Sequence, residues 1–520
     1  MNMVECVVGV DVGTTGCKAM VMDLDGHTLG QGYREYALSE PKPNWVEIAA
    51  SFLLDLTFDA VQEAVTSSGV DPAQIKAISF SVNRSSFCLM DDALDVIDDK
   101  MYIWLDSRAE AVMEEINAKI SPERRNQITG MPGYNIFAAA KYYWVMKNEP
   151  ETYARTKWFS TVESFILHGF GSDDFVVEIS DGTVTGLFDV RTLDWSEELT
   201  QALGFDPAKF PPTCRPGQVV GAISPQVAAR TGLAVGTKLV AGSGDQQLAA
   251  MGAGVIRDGA VSLTIGTFGL LAVGLAQPDF SALTGMMIPS SPRLGVFEVE
   301  GPQVSGATCY RWARDTLCPE EVAEGEKTGQ DPYVLMEQKY VTQSPPGANG
   351  VLFYSALFGS GYPTWDTNAT GFFLGLRNTH TKADMVRSVM EGITLEARHI
   401  LESMMSAGVE MEDTITVTGG ASKSPAWRQI IADVMGRKIR TLEVPDAAVL
   451  GAAALAALGA GLVDDLEQAV ARMVSFGPLI EPIEANVKVY DQTFQAYKAA
   501  YVGLKEQDLF TQLAALRPQE

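Results

Sequence analysis

Histidine and cysteine are scarce in this chain of 520 residues. The four histidines (His27, His168, His380 and His399) include no pair with the spacing of a zinc-binding motif, so a histidine-rich metal site is not expected. The six cysteines include no CxxC pair. In a chain of this length, that distribution predicts reduced, buried thiols in a cytoplasmic protein.

Positive charge is also in short supply, because 39 Lys and Arg residues face 65 Asp and Glu residues, a formal net charge of −26. A surface this acidic repels nucleic-acid backbones and anionic lipid headgroups, so we expect neither nucleic acid nor a membrane as a partner. A local pocket can still bind a small anion. Composition leaves the oligomeric state open, with a homodimer as one alternative.

Long hydrophobic segments are missing as well. The N-terminus has no basic segment followed by an apolar stretch, so no signal peptide is expected. The longest apolar run, Ala447 to Val463, consists mainly of Ala and Gly and predicts a tightly packed helix rather than a bilayer span. These absences predict a soluble protein.

The composition that remains is typical of a globular protein, with 46% apolar and 20% charged residues over a length that suits two to four domains. An apolar run at 4–10, a Gly/Thr turn at 11–16 and a second apolar run at 18–23 predict a strand, a turn and a strand. A predicted helix at 49–67 and a predicted buried strand at 76–81 follow. This alternation predicts the α/β class.

The opening pattern returns in the second half of the chain. Residues 8–16 (VGVDVGTTG) align with residues 261–269 (VSLTIGTFG) at one constant offset. Two halves that each begin with a strand, a Gly-Thr turn and a strand predict a duplicated domain. The Gly- and Ala-rich stretch near 241–258 is the expected boundary, which gives domains at 1–250 and 251–520.

Two common phosphate-binding motifs are absent from the sequence: no GxxxxGK[ST] segment occurs, and no GxGxxG follows a predicted strand. The two Gly-Thr turns remain as candidates. Glycine admits the close approach of an anion, and backbone N–H and Thr hydroxyl groups can donate to phosphate oxygens. Either turn alone is as easily a plain hairpin, but their matching places in the two halves favour a nucleotide-phosphate site.

Three charged residues near these segments are candidates for chemistry. Asp11 ends the first predicted strand, where it could orient a Mg²⁺ ion through water or cap its own turn. Lys18 could reach a phosphate or remain solvated. Asp245 follows an apolar run in a Gly-rich segment, where a carboxylate could accept a proton from a substrate hydroxyl and also serve as a helix N-cap.

Several motifs together resemble the FGGY family of carbohydrate kinases. Gly371 to Glu391 fits the family's C-terminal signature at every position. The helical period from Asp384 onward indicates that this signature reports packing of a helix rather than contact with a ligand. The N-terminal signature fits in part at 141–149, with departures at Ile136 and Ala138. Further matches are DVGTT at 11–15, WLDSR at 104–108, LFD at 187–189, GDQ at 244–246, TGGASKSPAW at 418–427 and GAA at 451–453.

The resemblance implies two actin-like (ribonuclease H-like) ATPase domains with a cleft between them, and phosphoryl transfer from ATP with Mg²⁺ to a hydroxyl of a small sugar. By position it implies Asp245 as the general base and Asp11 near the metal. It places the sugar at Arg84, Asp106, Asp245 and Gln246. It places the ATP phosphates at Thr14, Thr15, Lys18, Gly266 and Thr267, and the adenosine at Gly306, Gly420, Ala421 and Ser424.

The acceptor region departs from the better-known members of the family. VNRS at 82–85 stands where xylulose kinases carry QMHG and where glycerol kinases carry Arg-Glu, of which only Arg84 remains. Arg84 could bind the carboxylate of a sugar acid, bind a hydroxyl or form a structural ion pair. A ketopentose such as xylulose is the first expectation for the acceptor. The alternatives are glycerol, a pentitol, gluconate, an actin-like ATPase without sugar kinase activity, and an inactive sugar sensor.

Overall fold

The computed structural model describes residues 5–516, so Val4 of the first predicted strand lies outside the described residues. The strands are β1 (Cys6–Val12), β2 (Gly16–Asp23), β3 (Thr28–Glu35), β4 (Glu47–Ala49), β5 (Ile75–Val82), β6 (Phe87–Met90), β7 (Val96–Tyr102), β8 (Trp158–Thr161), β9 (Val177–Glu178), β10 (Phe188–Asp189), β11 (Asp194–Trp195), β12 (Thr213–Cys214), β13 (Val219–Ala222), β14 (Lys238–Gly244), β15 (Val261–Ile265), β16 (Gly269–Leu275), β17 (Phe297–Gln303), β18 (Leu352–Tyr354), β19 (Phe372–Leu374), β20 (Thr414–Thr418) and β21 (Lys438–Thr441).

The α-helices are α1 (Ala50–Ser68), α2 (Met113–Lys119), α3 (Pro122–Thr129), α4 (Ala138–Asn148), α5 (Pro150–Arg155), α6 (Val162–Phe170), α7 (Ile179–Thr183), α8 (Glu197–Leu203), α9 (Pro225–Thr231), α10 (Asp245–Gly252), α11 (Thr308–Leu317), α12 (Pro319–Thr328), α13 (Pro332–Lys339), α14 (Lys382–Ser406), α15 (Pro425–Met435), α16 (Ala447–Ala460), α17 (Leu466–Met473), α18 (Glu484–Glu506) and α19 (Leu509–Ala514). The predicted strand–turn–strand opening, the helix at 49–67 and the strand at 76–81 are all present, each with its ends displaced by one or two residues.

Two units with dense internal contacts divide the described chain. The first unit comprises the residues up to Arg257, together with Gly274–Val299 and Asp446–Ser475. The second unit comprises Asp258–Val273, Glu300–Pro445 and the residues from Phe476 onward. The first crossing falls inside the predicted boundary range of 241–258. The predicted domains at 1–250 and 251–520 are contiguous, however, and do not anticipate the two segments that return to the first unit.

A six-stranded sheet in the order β13-β14-β5-β1-β2-β3 forms the centre of the first unit. β1 pairs antiparallel with β2 and parallel with β5, and β5 pairs parallel with β14. Val8 and Val10 of β1 belong to one core cluster with Leu53 and Val61 of α1. Gly9 points to the opposite face, because successive residues of a strand alternate between faces.

Small residues allow α16 to lie directly on that opposite face. A Cβ at Gly9 would lie 2.3 Å from the carbonyl oxygen of Val449, and a Cβ at Gly451 would lie 2.3 Å from the carbonyl oxygen of Leu248 in α10. No larger side chain fits at either position. The Ala- and Gly-rich run is therefore the tightly packed helix that the sequence predicts, and its packing explains why residues 446–475 belong to the first unit.

A five-stranded sheet in the order β17-β16-β15-β20-β21 forms the centre of the second unit. β15 pairs antiparallel with β16 and parallel with β20, and β20 pairs parallel with β21. The same succession, β3-β2-β1-β5-β14, occurs in the first sheet. The repeated sequence at 8–16 and 261–269 therefore marks a repeated topology, and the predicted α/β class with duplicated halves of actin-like type is confirmed.

The C-terminal signature segment serves packing in the second unit. Asp384 and Thr381 form a reciprocal capping box at the start of α14. One turn further, Arg387 Nε donates to Glu391 Oε1 over 2.6 Å in a buried ion pair. The Tyr490 hydroxyl of α18 donates to the same Glu391 oxygen over 2.7 Å. These contacts attach α14 to its neighbours, as the helical period of the sequence predicts.

The scarce cysteines are structural thiols. All six are buried and none forms a disulfide, as the sequence predicts. Burial raises the pKa of the Cys17 thiol to about 12, so this group remains protonated at neutral pH. Within residues 5–516, no helix combines the length and the apolar composition that crossing a bilayer requires.

The contact between β1 and α16 gives a stability prediction. Gly9→Ala should lower the free energy of unfolding by about 1–3 kcal/mol, because the new Cβ would collide with the backbone of α16. Denaturant titration of the purified protein measures this change. Gly503→Ala is the matched control, since a Cβ at Gly503 meets nothing within 4 Å. This helical position should gain about 0.5–1 kcal/mol. Equal effects at the two sites would contradict the packing described.

Candidate active site

The carboxyl ends of three parallel strands bring the candidate residues of the first unit to one edge of its sheet. Asp11 lies near the end of β1, Ser81 lies near the end of β5, and Asp245 directly follows β14. Arg84 follows β5 after one intervening residue. In open α/β sheets, ligands bind outside the carboxyl ends of the parallel strands, so this edge is the expected place for a site.

The ionised form of Asp11 is disfavoured at this edge. Its Oδ1 accepts a hydrogen bond of 2.7 Å from the Ser81 hydroxyl. Burial, together with repulsion from the nearby Asp245 carboxylate, raises the pKa of Asp11 from 3.8 to about 7. The Gly13 N–H closes the adjacent turn by donating to the Gly16 carbonyl over 3.0 Å. Asp11 is thus held by its neighbouring strand, and a cation at this edge would relieve the repulsion.

Lys18 pairs with a carboxylate of the first unit. Its Nζ lies 2.5 Å from Asp446 Oδ1, and about a quarter to a third of each side chain remains exposed (26% for Asp446 and 29% for Lys18). Lys18 also stands directly opposite Asp11 in the ladder of β1 and β2. The lysine is therefore neither fully solvated nor sealed from ligands, and its predicted contact with a phosphate stays a prediction.

The first Gly-Thr turn lies between β1 and β2. Thr14 Oγ1 accepts a hydrogen bond of 2.9 Å from the Trp104 indole N–H, which leaves the threonine hydroxyl hydrogen available as a donor. Thr15 is exposed. Asn83 Nδ2 donates to the carbonyls of Val12 and Gly13, over 3.1 and 3.3 Å. The turn is thus fixed from behind by Asn83 while its threonines keep polar groups at the surface.

Asp245 is the first residue of α10, and Gly244 rather than Asp245 is the N-cap. Its Oδ1 accepts a hydrogen bond of 2.7 Å from the Gln246 N–H. Arg84 Nε lies 3.7 Å from the same oxygen, a distance that is longer than a hydrogen bond. The Asp245 side chain is 24% exposed, so the guanidinium favours an ionised carboxylate without covering it. This environment suits a group that accepts a proton from a ligand.

Gln247 is a positioning residue that the sequence analysis missed. It is fully buried, and its Oε1 accepts a hydrogen bond of 3.4 Å from Arg84 Nη1. Its Nε2 donates to the carbonyls of Ser180 over 2.7 Å and of Ser290 over 3.4 Å. Gln247 therefore holds the Arg84 guanidinium beside Asp245. The position follows the GDQ triplet directly, but nothing in its sequence context distinguishes a buried glutamine from an exposed one.

Three buried carboxyl groups surround the end of β14. Glu163 accepts from the Gly242 N–H, and Glu178 caps α7 by accepting from the Ser180 N–H over 2.7 Å. Burial raises the pKa of Glu178 to about 8 and that of Asp181 to about 7, and it raises the pKa of Glu163 well above its ordinary value. Burial therefore disfavours the charged form of all three groups, and Glu163 and Glu178 accept hydrogen bonds from the backbone.

Asp106 lies away from the surface of this edge. It is fully buried, and Arg108 Nε and Nη2 bond its two carboxylate oxygens over 2.7–3.0 Å. The Val46 N–H donates to Asp106 Oδ2 over 2.7 Å. The predicted contact of Asp106 with a sugar would require this ion pair to open. These contacts hold Asp106 in the segment that carries Trp104, the residue that donates to Thr14, and the sugar contact of Asp106 stays a prediction.

The second Gly-Thr turn lies between β15 and β16 in the second unit. Gly266 N–H donates to the Phe268 carbonyl over 2.9 Å, and Thr267 is exposed. Gly306 packs against this turn, because a Cβ there would lie 2.6 Å from the Phe268 carbonyl carbon. The Ala307 N–H then donates to the Gly266 carbonyl over 2.7 Å. The turn and the buried Gly306 segment are thus packed directly against each other, backbone to backbone.

The glycine pair after β20 lies beside that turn. Gly419 has a positive φ of 77°, and a Cβ there would lie 2.6 Å from the Ile265 carbonyl oxygen. Gly420 is exposed and Ala421 is buried. Ser424 caps α15 by accepting from the Trp427 N–H over 3.0 Å, and its hydroxyl donates to Glu337. Gly266, Gly306, Gly420 and Ala421 are therefore neighbours in the second unit, whereas Ser424 is already committed to a cap.

The residues present fit a magnesium ion that is carried mainly by its nucleotide. Among residues 5–516, no three His, Cys, Asp or Glu side chains converge as a metal site. Mg²⁺ is commonly held by one or two carboxylates, several waters and substrate phosphates. Asp11 has a pKa raised to about 7, in part because a second carboxylate lies nearby. One or two carboxylates of this kind match that donor set.

Comparison with known families identifies the chain. Residues 6–252 match the N-terminal domain of the FGGY family of carbohydrate kinases, and residues 262–460 match its C-terminal domain. The chain belongs to the FGGY family. It is therefore a phosphotransferase of the carbohydrate kinase class, and kinases of this family use ATP.

Relatives of this FGGY kinase span nearly its whole length. The xylulose kinase of Bacillus subtilis is 27% identical over 511 residues, which cover 98% of this chain and 99% of the relative. The gluconokinase of Bacillus licheniformis is 26% identical, with 94% of each chain covered. The ligand-bound xylulose kinase of Lactobacillus acidophilus superimposes with a TM-score of 0.86 at 23% identity, covering 96% of this chain and 99% of that one. These relatives differ in acceptor, so the family does not decide the substrate.

Gln247 gives the first prediction for the site. Gln247→Leu should lower kcat by roughly 10–100-fold, because the Arg84 guanidinium loses the acceptor that holds it beside Asp245. Steady-state kinetics with an ADP-coupled assay measure the change. Gln201→Leu, at an exposed position of α8 in the same unit, is the control and should behave as wild type. A Gln247 variant with unchanged kcat would show that Arg84 needs no such support.

Asp11 gives a prediction for stability against pH. The folded protein binds the Asp11 proton more tightly than the unfolded chain does. Ionisation of Asp11 therefore lowers the free energy of unfolding, and this loss grows as the pH rises from 3.8 toward about 7. Asp11→Asn removes that cost. Without nucleotide, the variant should melt about 2–4 °C above wild type at pH 8, with a smaller difference at pH 5.5.

The control for this prediction is Asp92→Asn, at an exposed position of the same unit. It should change the melting temperature equally little at both pH values. If Asp11→Asn melted at or below the wild-type temperature at pH 8, the carboxylate at position 11 would not be strained.

Proposed function

We propose that this FGGY kinase transfers the γ-phosphoryl group of MgATP to a hydroxyl of a small sugar or polyol, with a ketopentose such as xylulose as the first candidate. The observation that supports this proposal most is the placement of Asp245. It begins a helix at the carboxyl edge of parallel strands, remains 24% exposed and has a guanidinium 3.7 Å away. The Asp245 carboxylate thus lies beside a positive charge and remains partly accessible to a ligand.

In the proposed reaction, Asp245 acts as the general base. The acceptor hydroxyl gives its proton to Asp245 while its oxygen forms a bond to the γ-phosphorus of ATP. The bond from that phosphorus to the bridging oxygen breaks, and ADP leaves. Because phosphoryl transfer needs little covalent assistance, the protein contributes mainly alignment and charge compensation.

We assign the phosphate contacts to the two Gly-Thr turns. In the first unit, Thr14 and Thr15 present hydroxyls at a turn that Asn83 fixes, and Lys18 adds a positive charge that is paired with Asp446. In the second unit, Gly266 is partly exposed and Thr267 is exposed at the turn between β15 and β16. Backbone N–H and hydroxyl donors of this kind suit phosphate oxygens. Gly306, Gly420 and Ala421 would contact the adenosine, and Ser424 would lie at its margin.

Asp11 would hold the magnesium ion of MgATP through water, and the ion would offset the charge of the phosphates. Without the ion, burial and the charge of Asp245 raise the pKa of Asp11 to about 7. In this proposal the Asp11 carboxylate would orient the nucleotide's cation, and Asp245 would take the proton of the acceptor. Asp11 and Asp245 thus have different roles in this proposal, one toward the metal ion and one toward the acceptor hydroxyl.

The acceptor groups are Arg84, Asp245 and Gln246 in this proposal. Arg84 contacts Asp245 and Gln247, so it supports the base and presents at most part of its guanidinium to the acceptor. A neutral ketose or polyol needs only that much. A sugar acid would need a second positive group for its carboxylate, and this distinction is open to a direct test.

The test is a screen of ADP release over ketopentoses, pentitols, glycerol and aldonic acids, with wild type and Asp245→Asn compared. Wild type should respond to one class of acceptor, and Asp245→Asn should lower kcat for that acceptor by roughly 10²–10⁴-fold because the base is lost.

Asp92→Asn is the matched control for the loss of one negative charge. Circular dichroism and melting temperature should show that both variants remain folded. Retained turnover in folded Asp245→Asn would exclude Asp245 as the base. ATP hydrolysis by wild type that no acceptor stimulates would instead favour an ATPase without sugar kinase activity.

A further inference from the structure

Lys18 of β2 lies near two carboxylates on one face of the first sheet. It stands directly opposite Asp11 in the antiparallel ladder of β1 and β2, and opposite residues of such a ladder present their side chains to the same face. Gly9 faces α16. Asp11 is two positions further along β1, so its side chain lies on the same face as Gly9. Asp446, which immediately precedes α16, completes a group of three charges on this face.

The Lys18 ammonium pairs with Asp446 rather than with Asp11. Its Nζ lies 2.5 Å from Asp446 Oδ1. Asp11 instead accepts a hydrogen bond from the Ser81 hydroxyl. Burial and the negative charges of Asp245 and Asp446 raise the pKa of Asp11 to about 7, and the positive charge of Lys18 does not offset them. Asp446 is therefore the direct partner of the lysine.

The Asp446 carboxylate is held by this lysine and not by its own helix. Asp446 is the N-cap of α16, where an aspartate usually accepts a hydrogen bond from the first helical turn, but its side chain makes no such bond. In the described part of the chain, Lys18 is the one group that this carboxylate contacts by a hydrogen bond or ion pair. The N-terminal end of the helix dipole still favours a negative charge at position 446 when the lysine leaves.

The pair of Lys18 and Asp446 is accessible enough to be exchanged. Between a quarter and a third of each side chain is exposed. Partly exposed ion pairs are weak, because water competes for both charges. A phosphate group carries more negative charge than a carboxylate and has more acceptor oxygens. Lys18 is the third residue of β2, directly after the first Gly-Thr turn, and its flexible stem lets the ammonium reach a new acceptor.

We propose that Asp446 is a positioning residue, which holds the Lys18 ammonium in the nucleotide-free enzyme and releases it to a phosphate of the bound nucleotide. The inference rests on the proposed function in one respect, the assignment of Lys18 to the phosphates. A phosphate that shared the ammonium with Asp446 would lie beside a like charge, in a chain that already has a net charge of −26. Exchange of partners lets the carboxylate move away from the phosphate.

The test is the affinity of the full-length enzyme for a non-hydrolysable ATP analogue with Mg²⁺, measured by isothermal titration calorimetry. Asp446→Asn should bind the analogue about two- to fivefold more tightly than wild type, because a partly exposed ion pair no longer has to be broken. Asparagine is also a favoured N-cap residue, so this variant should fold. Asp25→Asn is the matched control. It removes an exposed ion pair with Arg472 in the same unit and should bind like wild type.

Two further measurements separate partner exchange from a general effect of charge. Adenosine has no phosphate, so wild type and Asp446→Asn should bind it equally. Lys18→Met should weaken binding of the ATP analogue. In the Lys18→Met background, Asp446→Asn should change the affinity less than it does in wild type, because no ammonium is left to release. Asp446→Ser also keeps a favoured N-cap residue and replaces Asp446→Asn if that variant does not fold.

Three results would overturn the proposal. An Asp446→Asn variant that binds the ATP analogue no more tightly than wild type would show that the ion pair persists in the complex. An equal gain in affinity for adenosine would show that position 446 acts independently of the phosphates. Unchanged affinity in Lys18→Met would contradict the assignment of Lys18 to the phosphates and the exchange with it. These binding measurements need no acceptor, so a failure of the proposed kinase activity would appear separately, in the screen of ADP release.

Discussion

The parallel alignment of β1, β5 and β14 is the constraint on which the candidate site depends. Parallel strands end at the same edge of a sheet. The residues that follow them are therefore close in space even when long segments separate them in the chain. Asp11, Arg84 and Asp245 are far apart in the chain and meet for this reason. α16 packs closely on β1 within this alignment, since a side chain at position 9 would collide with the Val449 carbonyl. A helix from residues 447–460 thereby supports a site that is built from residues 11–245.

Carboxyl groups are concentrated at this edge at a cost in stability. Asp11 has a pKa raised to about 7 by burial and by Asp245, and buried carboxyl groups with raised pKa values surround the end of β14. A fold selected only for stability would replace such groups with apolar or neutral residues. A cation bound at this edge would offset the charge of the ionised Asp11 and Asp245 carboxylates. Arg84 and Lys18 supply part of that compensation within the protein.

The sequence predicts the parts of this structure that are encoded locally. Glycine and threonine positions and the spacing of apolar residues predict the two Gly-Thr turns, the duplicated halves and the place of Asp245 at a strand end. These features depend on residues that are neighbours in the chain. The return of residues 446–475 to the first unit and the burial of Asp106 by Arg108 depend on tertiary packing. Gln247 is of the same kind, since a buried glutamine and an exposed one look alike in sequence. The acceptor is the least predictable feature, because the relatives of nearly equal similarity differ in acceptor.

The most direct test of the account is a crystal structure of the wild-type enzyme with a non-hydrolysable ATP analogue, Mg²⁺ and the acceptor found by the activity screen. The account predicts an acceptor hydroxyl within about 3 Å of an Asp245 carboxylate oxygen, the reach that a general base requires. It also predicts the metal ion on the Asp11 side of the phosphates. An acceptor bound elsewhere, with the Asp245 carboxylate contacting only protein groups, would contradict the account.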